Sequence, residues 1–410
     1  MLRHITLILP IAYRGGSLRV TKSIAKMIKQ GSRNFGTPCG VRIAVLSGYY
    51  DIPLDFHEVL EDGIDVREFD WIDFTAENVH IANAHSHRFV ETLFDDYCVP
   101  EDGVKNLTDT DLWILISDRA PKPLAPIMPY VVFATDYIQR YVPEIMPRES
   151  FGKIDMPSIQ TVRAANAVIV TTPHTKEDVI SYVGVPAQKV HLAPMDFDPT
   201  VFPILADTKL DSDPYFIWPT NPTEHKNHIR AFDALQRYYE KLDGKLRAKI
   251  VGPNSLRMNP EHEIPEKILD IPYIKKLRGM IEASESLQQN IDFMGELSDA
   301  AYAQTLSGAQ FLWHPTIIDN GTFAVAEAAW FRCPSLVSGY PQMHYIGNRF
   351  AIPMEFFNPR SVPEMAESLK EMETKAGRVR MALPSREDLS QHSWQRYAAE
   401  YWAMLKGIAP

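Results

Sequence analysis

The chain is poor in cysteine: Cys39, Cys98 and Cys333 are its only three, they stand far apart, and none forms a C-x-x-C pair. That excludes a disulfide framework and a cysteine zinc site, and it fits a protein kept in a reducing compartment. Long apolar runs are also missing. Stretches such as Ile5–Ile11 and Ala167–Val170 fall far short of the ~20 residues needed to cross a bilayer. The run after Met1-Leu2-Arg3 is too short for a signal peptide, so a cytoplasmic protein is expected, neither secreted nor membrane-spanning. Neither G-x-G-x-x-G nor a Walker A sequence occurs, which removes the usual fingerprints of dinucleotide and P-loop sites. The net charge of -10 argues against a nucleic-acid binder acting through bulk charge. A length of 410 residues points to two or three domains, each able to bury its own core.

A local absence is more telling. From Met1 to Tyr50 there is no Asp or Glu, whereas Arg3, Arg14, Arg19, Lys22, Lys26, Lys29, Arg33 and Arg42 all fall there; Asp51 to Asp73 is strongly acidic. Within the first segment the spacing predicts a helix over Ser17–Gln30, with Val20, Ile24, Met27 and Ile28 on one face and Arg19, Lys22, Lys26 and Lys29 on the other. Such a basic face is either an ordinary solvated one or a surface drawn to anionic lipid head groups.

Short β-branched runs alternate with helical patterns throughout, the pattern of parallel α/β layering. Strands are expected at Ile5–Pro10, Arg42–Ser47, Leu112–Ile116, Tyr130–Ala134, Ala167–Val170 and Val190–Ala193. After a polar stretch with a boundary near 196–212, a second series follows at Tyr215–Trp218, Ala248–Val251, Ile291–Met294, Ala309–Trp313, Pro334–Val337 and Ala351–Pro353. Neither a repeat of 20 to 50 residues nor a low-complexity tract is evident, which argues against solenoids and arrays. The closing helix, about Trp394–Leu405, carries Trp394, Tyr397, Tyr401 and Trp402 and must dock on something. In open parallel sheets the ligand lies outside the carboxyl ends of the strands, so the chemistry is expected there.

Three segments offer chemistry at such ends. Gly15-Gly16 follows the first strand and opens the basic helix, where backbone could approach a phosphate; a plain glycine turn explains it equally well. In the run Trp313–Ala329, Asp319 and Glu327 are separated by seven residues around a glycine-containing turn. Carboxylates placed so could accept hydroxyls of a sugar and of a ribose, although an N-cap Asp and a helix Glu are more often structural. Between a strand and a helix lies Trp218–His228, whose Lys226 could reach a pyrophosphate as a point charge or be a solvated loop lysine.

Taken together the chain resembles the family-four, retaining glycosyltransferases of GT-B fold, nearly end to end and in the family's order. The resemblance is carried by Gly15-Gly16, by Ala165–Thr172 with Lys176 and Val183-Gly184-Val185, by Lys189–Pro194 with Asp198, and by His225-Lys226-Asn227-His228. It continues through Phe293–Leu297 with Gly295, the Asp319–Glu327 segment, which resembles the family's Glu-x7-Glu motif, and Ser393-Trp394. The resemblance implies two Rossmann-like, doubly wound α/β domains facing across a cleft: an acceptor domain over 1–198, a nucleotide-sugar domain over 199–388, and a helix over 389–410 crossing back to the first.

It also implies roles. Glu327 would hold the donor ribose, Asp319 the transferred sugar, and the amides of Gly321 to Ala324 the sugar and phosphate. Lys226 would neutralise the leaving diphosphate. The implied donor contacts are Gly15, Gly16, Thr220, Lys226, Asn227, Gly295, Asp319, Asn320, Gly321, Thr322, Phe323 and Glu327, with His85 and Asp136 joining Lys226, Asp319 and Glu327 as the catalytic set. Transfer would proceed with retention, without metal or cofactor.

The sequence departs from the family at three places. Asp319 replaces the first Glu, with Asn320 and Thr322 where glycines are usual; Thr220 stands where an arginine often lies, leaving Arg14 or His225 as substitutes; and Thr135-Asp136 stands for the family's His-Asp pair, leaving His85 or His87 to supply the histidine. The motif forms resemble bacterial transferases of O-antigen, capsule and other surface glycans, which makes GDP-mannose the expected donor and UDP- or dTDP-sugars the alternatives. The acceptor, a glycan or lipid-linked glycan, would bind loops at Tyr49–Asp62, His85–Asp96 and Asp118–Met128, with membrane contact through the basic helix. Competing readings are a nucleotide-sugar epimerase or phosphorylase of the same fold and a non-catalytic glycan-binding protein.

Overall fold

The computed structural model describes residues 2–84, 91–143, 155–193, 197, 199, 202, 213–320 and 323–408. The chain divides into two compact units, Met1–Asp196 with His392–Pro410, and Phe197–Gln391.

The first unit is built on an eight-stranded sheet. Its strands are β1 (His4–Ile8), β2 (Gly40–Leu46), β3 (Asp65–Thr75), β4 (Asp96–Glu101), β5 (Leu112–Ile116), β6 (Tyr130–Phe133), β7 (Ala167–Val170) and β8 (Val190–Leu192), in the order β4-β3-β2-β1-β5-β6-β7-β8. All pairs are parallel except β3 with β4. The central strands are buried on both faces and therefore read as unbroken apolar runs, as in Leu112-Trp113-Ile114-Leu115-Ile116. β3 and β4 escape a reading by apolar runs because β3, Asp-Val-Arg-Glu-Phe-Asp-Trp-Ile-Asp-Phe-Thr, is mostly half-exposed and acidic, as suits a strand near a sheet edge.

The helix Gly16–Asn34 packs Leu18, Ile24, Ala25, Met27 and Ile28 onto this sheet. Its other neighbour is the helix Trp394–Ile408, which buries Ala398, Tyr401, Trp402 and Leu405 in the same core. The two helices touch at Gly31, where a Cβ would stand 2.1 Å from the Ala398 carbonyl oxygen and 2.7 Å from Trp402 Cβ. The basic side of the first helix is engaged within the unit. Lys22 donates to the Asp55 carbonyl at 2.5 Å and to Glu58 at 2.6 Å, Lys29 donates to the Gly63 carbonyl, and the Lys26 ammonium lies 5.9 Å from the Trp394 ring centre. Burial pushes the Glu58 carboxyl up, but the hydrogen bond and charge of Lys22 outweigh it and hold the group below its ordinary value.

The second unit carries a six-stranded, wholly parallel sheet: β9 (Tyr215–Pro219), β10 (Arg247–Val251), β11 (Ile291–Gly295), β12 (Leu312–His314), β13 (Ser335–Ser338) and β14 (Met354–Phe357), in the order β11-β10-β9-β12-β13-β14. Its core is aromatic. Phe216 stacks on Phe311 with ring centres 5.2 Å apart, and Trp218 meets Trp313 edge-on at 4.9 Å. The strand expected at Ala351–Pro353 lies instead at Met354–Phe357. The helix Pro341–Arg349 ends with Ala351 at φ 51° and the Ile352 amide donating to the Gly347 carbonyl, so those residues close a helix rather than open a strand. Among the described residues no helix is long and apolar enough to cross a membrane.

Candidate functional site

In each sheet the strand order reverses once, between β1 and β5 in the first unit and between β9 and β12 in the second. At such a switch point the connections leave the sheet on opposite sides, and a crevice opens at the carboxyl ends of the two strands. The polar residues that matter gather at both points.

In the second unit β9 runs into Thr220 and a short turn, Glu224–Lys226, ended by Asn227 in the left-handed region at φ 68°. Asparagine tolerates that backbone, and its side chain fixes the turn by donating to the carbonyls of Pro315 at 3.0 Å and Pro359 at 2.7 Å. The Ile317 amide donates to the His225 carbonyl at 2.9 Å, tying the turn to the loop that leaves β12. These bonds set Lys226 against Asp319. The lysine donates to one carboxylate oxygen and the Asn320 amide donates to the other at 2.9 Å, with each of the paired side chains 17% exposed. Burial acts to raise the Asp319 carboxyl, but the charge and hydrogen bond of Lys226 outweigh it and hold the group below its ordinary value.

Three histidines surround the pair. Burial holds His225 down to about 4 and His314 and His228 down to about 3, so all three are neutral at pH 7. His228 has a structural place: its ring lies on Trp218, its Nε2 meets the Thr220 hydroxyl at 2.9 Å and its Nδ1 meets the Tyr273 hydroxyl at 3.0 Å. Thr220 and Asn227 thus turn their polar groups into the scaffold. Glu327 lies in the helix Ala324–Trp330, which follows Phe323, and is only 5% exposed. Gly295 ends β11 at φ 70° and accepts from the Gly252 amide at 2.8 Å, so glycine is used for the backbone turn there.

The first unit holds Gly15, Gly16 and Asp136. Gly15, at φ 60°, precedes the helix Gly16–Asn34, and a Cβ on either glycine would meet open space. Arg14, weighed as a substitute phosphate ligand, is committed within its own unit, donating to Asp55 at 2.6 Å and to the Tyr49 carbonyl at 2.9 Å. Past β5, Ser117 adopts φ 77°, and its hydroxyl meets that of Tyr13 at 2.5 Å. Next to it Arg119 lies between Asp118 at 3.4 Å and Asp155 at 3.5 Å, and Asp136 acts electrostatically on Tyr13, Arg119 and Tyr137. Burial pushes the Asp118 carboxyl up.

His85, Gly321 and Thr322 lie outside the described residues. Sequence reasoning missed Ser117 and Tyr340, and although it had Asp118 and Arg119 in a candidate acceptor loop and His314 in the run Trp313–Ala329, it gave none of them, nor Tyr13, a role of its own. Position alone could have found them, since each follows or ends a strand beside a switch point.

No protein-family model matches the sequence, and neither does any curated protein. Solved structures do match. A glycosyltransferase from Rickettsia africae superposes with a TM-score of 0.64 at 13% identity over 99% of this chain and 98% of that one. Anabaena HepE in complex with UDP and glucose gives 0.65 at 14% identity, covering 99% of each chain. WaaG, a glycosyltransferase involved in lipopolysaccharide biosynthesis, gives 0.60 at 16% identity over 97% of this chain and 95% of that one. With two α/β units built on sheets that are parallel but for one pair and whose order reverses beside the candidate residues, the chain has the two-domain GT-B fold of these glycosyltransferases.

Proposed function

We propose that this chain is a retaining glycosyltransferase that moves a hexose from a nucleotide sugar to a glycan or lipid-linked glycan acceptor in the synthesis of surface polysaccharide, without a metal ion. The observation that carries the reading is the Lys226–Asp319 pair at the switch point of the second sheet, with buried Glu327 on the helix that follows. A lysine ammonium is the side chain suited to neutralising a leaving diphosphate, and a carboxylate beside it is suited to receiving sugar hydroxyls. Glu327 takes the ribose. The acceptor belongs to the first unit, where the Ser117–Asp136 region offers hydroxyl-binding groups at the other switch point.

The motif forms give GDP-mannose as the expected donor, whereas the bound nucleotide in the HepE structures is UDP. The base is therefore what the first experiment reads. The proposal does not extend to membrane contact through the helix Gly16–Asn34, because Lys22, Lys26 and Lys29 already have partners inside the unit.

A thermal-shift titration with GDP, UDP, dTDP, ADP and CMP and their sugars tests the reading. Ligand at 100 times its dissociation constant stabilises by about 2.7 kcal/mol, a shift of several degrees. The expected result is a shift with one nucleotide family that disappears in Lys226→Ala and Glu327→Ala. No shift with any of them overturns the transferase reading in favour of a glycan-binding protein without donor chemistry.

A further inference from the structure

The Lys226–Asp319 pair has a consequence for ligand binding. The ammonium assigned to the diphosphate is already neutralised in the free protein, by a carboxylate that is itself largely withdrawn from water. A diphosphate that draws Lys226 away leaves one Asp319 oxygen without its donor, and where the nucleotide brings no sugar hydroxyl a carboxylate screened from solvent needs a replacement from the protein. The other oxygen keeps the Asn320 amide. The groups around the vacated oxygen are therefore decisive.

His225 and His314 are neutral there, and the His314 Nδ1 is buried without a hydrogen-bond partner among the described residues. A neutral imidazole can still donate through one ring N–H, and beside that donor the neighbouring strand end offers a hydroxyl, Tyr340. It follows β13, the strand paired with β12, whose end begins the Asp319 loop; the two strand ends are tied by the Ser338 hydroxyl donating to the His314 carbonyl at 3.2 Å. Tyr340 is 4% exposed, its hydroxyl has no hydrogen-bond partner among the described residues, and Asp319 is the charge that acts on it. A buried hydroxyl without a partner is costly, and a tyrosine in a parallel-sheet loop could be phenylalanine at no loss of packing. What sets this hydroxyl apart from other buried ones such as that of Tyr137 is its place beside the strand that leads to Asp319, where a ligand-bound state can use it.

We propose that Tyr340 is a positioning residue for Asp319: when a nucleoside diphosphate engages Lys226, the Tyr340 hydroxyl donates to the carboxylate oxygen the lysine has released and holds Asp319 toward the sugar. This rests on the reading of Lys226 as the diphosphate ligand. The structure then contains both halves of an exchange, the donor that leaves and the donor that waits.

The test is a double-substitution cycle on the full chain, with UDP and GDP titrated separately by calorimetry. Tyr340→Phe removes only the hydroxyl, so the free protein should melt no lower than the original, while affinity for the nucleotide that binds falls about ten-fold. In an Asp319→Asn background, where no charge is left to compensate, the same substitution should cost nothing. An equal loss in both backgrounds, or no loss in either, overturns the role of Tyr340. Lys226→Ala, run in parallel, separates the two levels: if nucleotide affinity survives it, or if neither nucleotide binds the original protein, the underlying reading of Lys226 falls and the exchange with it.

Discussion

At the scale of single residues, the second unit concentrates proton chemistry in a way that a pH titration can read. His225, His228 and His314 are held at about 4, 3 and 3 against an ordinary 6.5, so below pH 6.5 the unfolded chain takes up protons that the folded unit refuses. Stability is therefore complete above the unfolded value and is lost as pH falls toward the folded ones, at up to about 1.4 kcal/mol per pH unit for each histidine. Hydrogen exchange at the β9 and β12 amides should accelerate progressively, after correction for intrinsic rates, between pH 6.5 and 4.5. Flat protection over that range contradicts the assignment. Asp319 works in a lower window: with its folded value depressed, its contribution is present at and above the ordinary carboxylate range and disappears only below it.

At the scale of elements, the close crossing of the helices Gly16–Asn34 and Trp394–Ile408 depends on Gly31, where an added Cβ would meet backbone that has no room to yield. Gly31→Val should lower the stability of the first unit by about 1–3 kcal/mol or more, read as a lower urea midpoint, and leave nucleotide binding by the second unit intact. Strands buried on both faces were legible in the sequence because continuous apolar runs such as Leu112–Ile116 and Tyr215–Trp218 have one natural reading. The acidic, half-exposed β3 and its antiparallel partner β4 were not, since their pairing is decided by neighbours distant in sequence. The same holds at the site. Lys226 and Asp319 stand in short motifs and could be singled out, but that they bond each other depends on the adjacency of β9 and β12, which sequence order does not display. Thr220 and Asn227 are donor contacts by the family resemblance, and what the sequence does not display is that their side chains also bond buried His228 and the carbonyls of Pro315 and Pro359.

At the scale of the whole molecule, each unit has its own core, one centred on β1, β2 and β5 and the other on Phe216, Trp218, Phe311 and Trp313. Removal of residues 392–410 should uncover the face of Gly16–Asn34 that meets Ala398, Tyr401, Trp402 and Leu405. Large-to-small losses of this kind cost several kcal/mol. Exchange of the β1 and β2 amides should then rise sharply while those of β9 to β14 keep their protection; an unchanged first unit would show that the helix Trp394–Ile408 is dispensable to it.

The assignment of His392–Pro410 to the first unit also orders events during translation. The sheet made first lacks part of its covering until every residue from Phe197 to Gln391 has been synthesised, whereas the sheet made second is contiguous in the chain. A ribosome therefore delivers a completable second unit before it delivers a complete first one, and the amino-terminal half waits, with the Gly31 face of its opening helix uncovered, for the carboxyl-terminal segment to arrive.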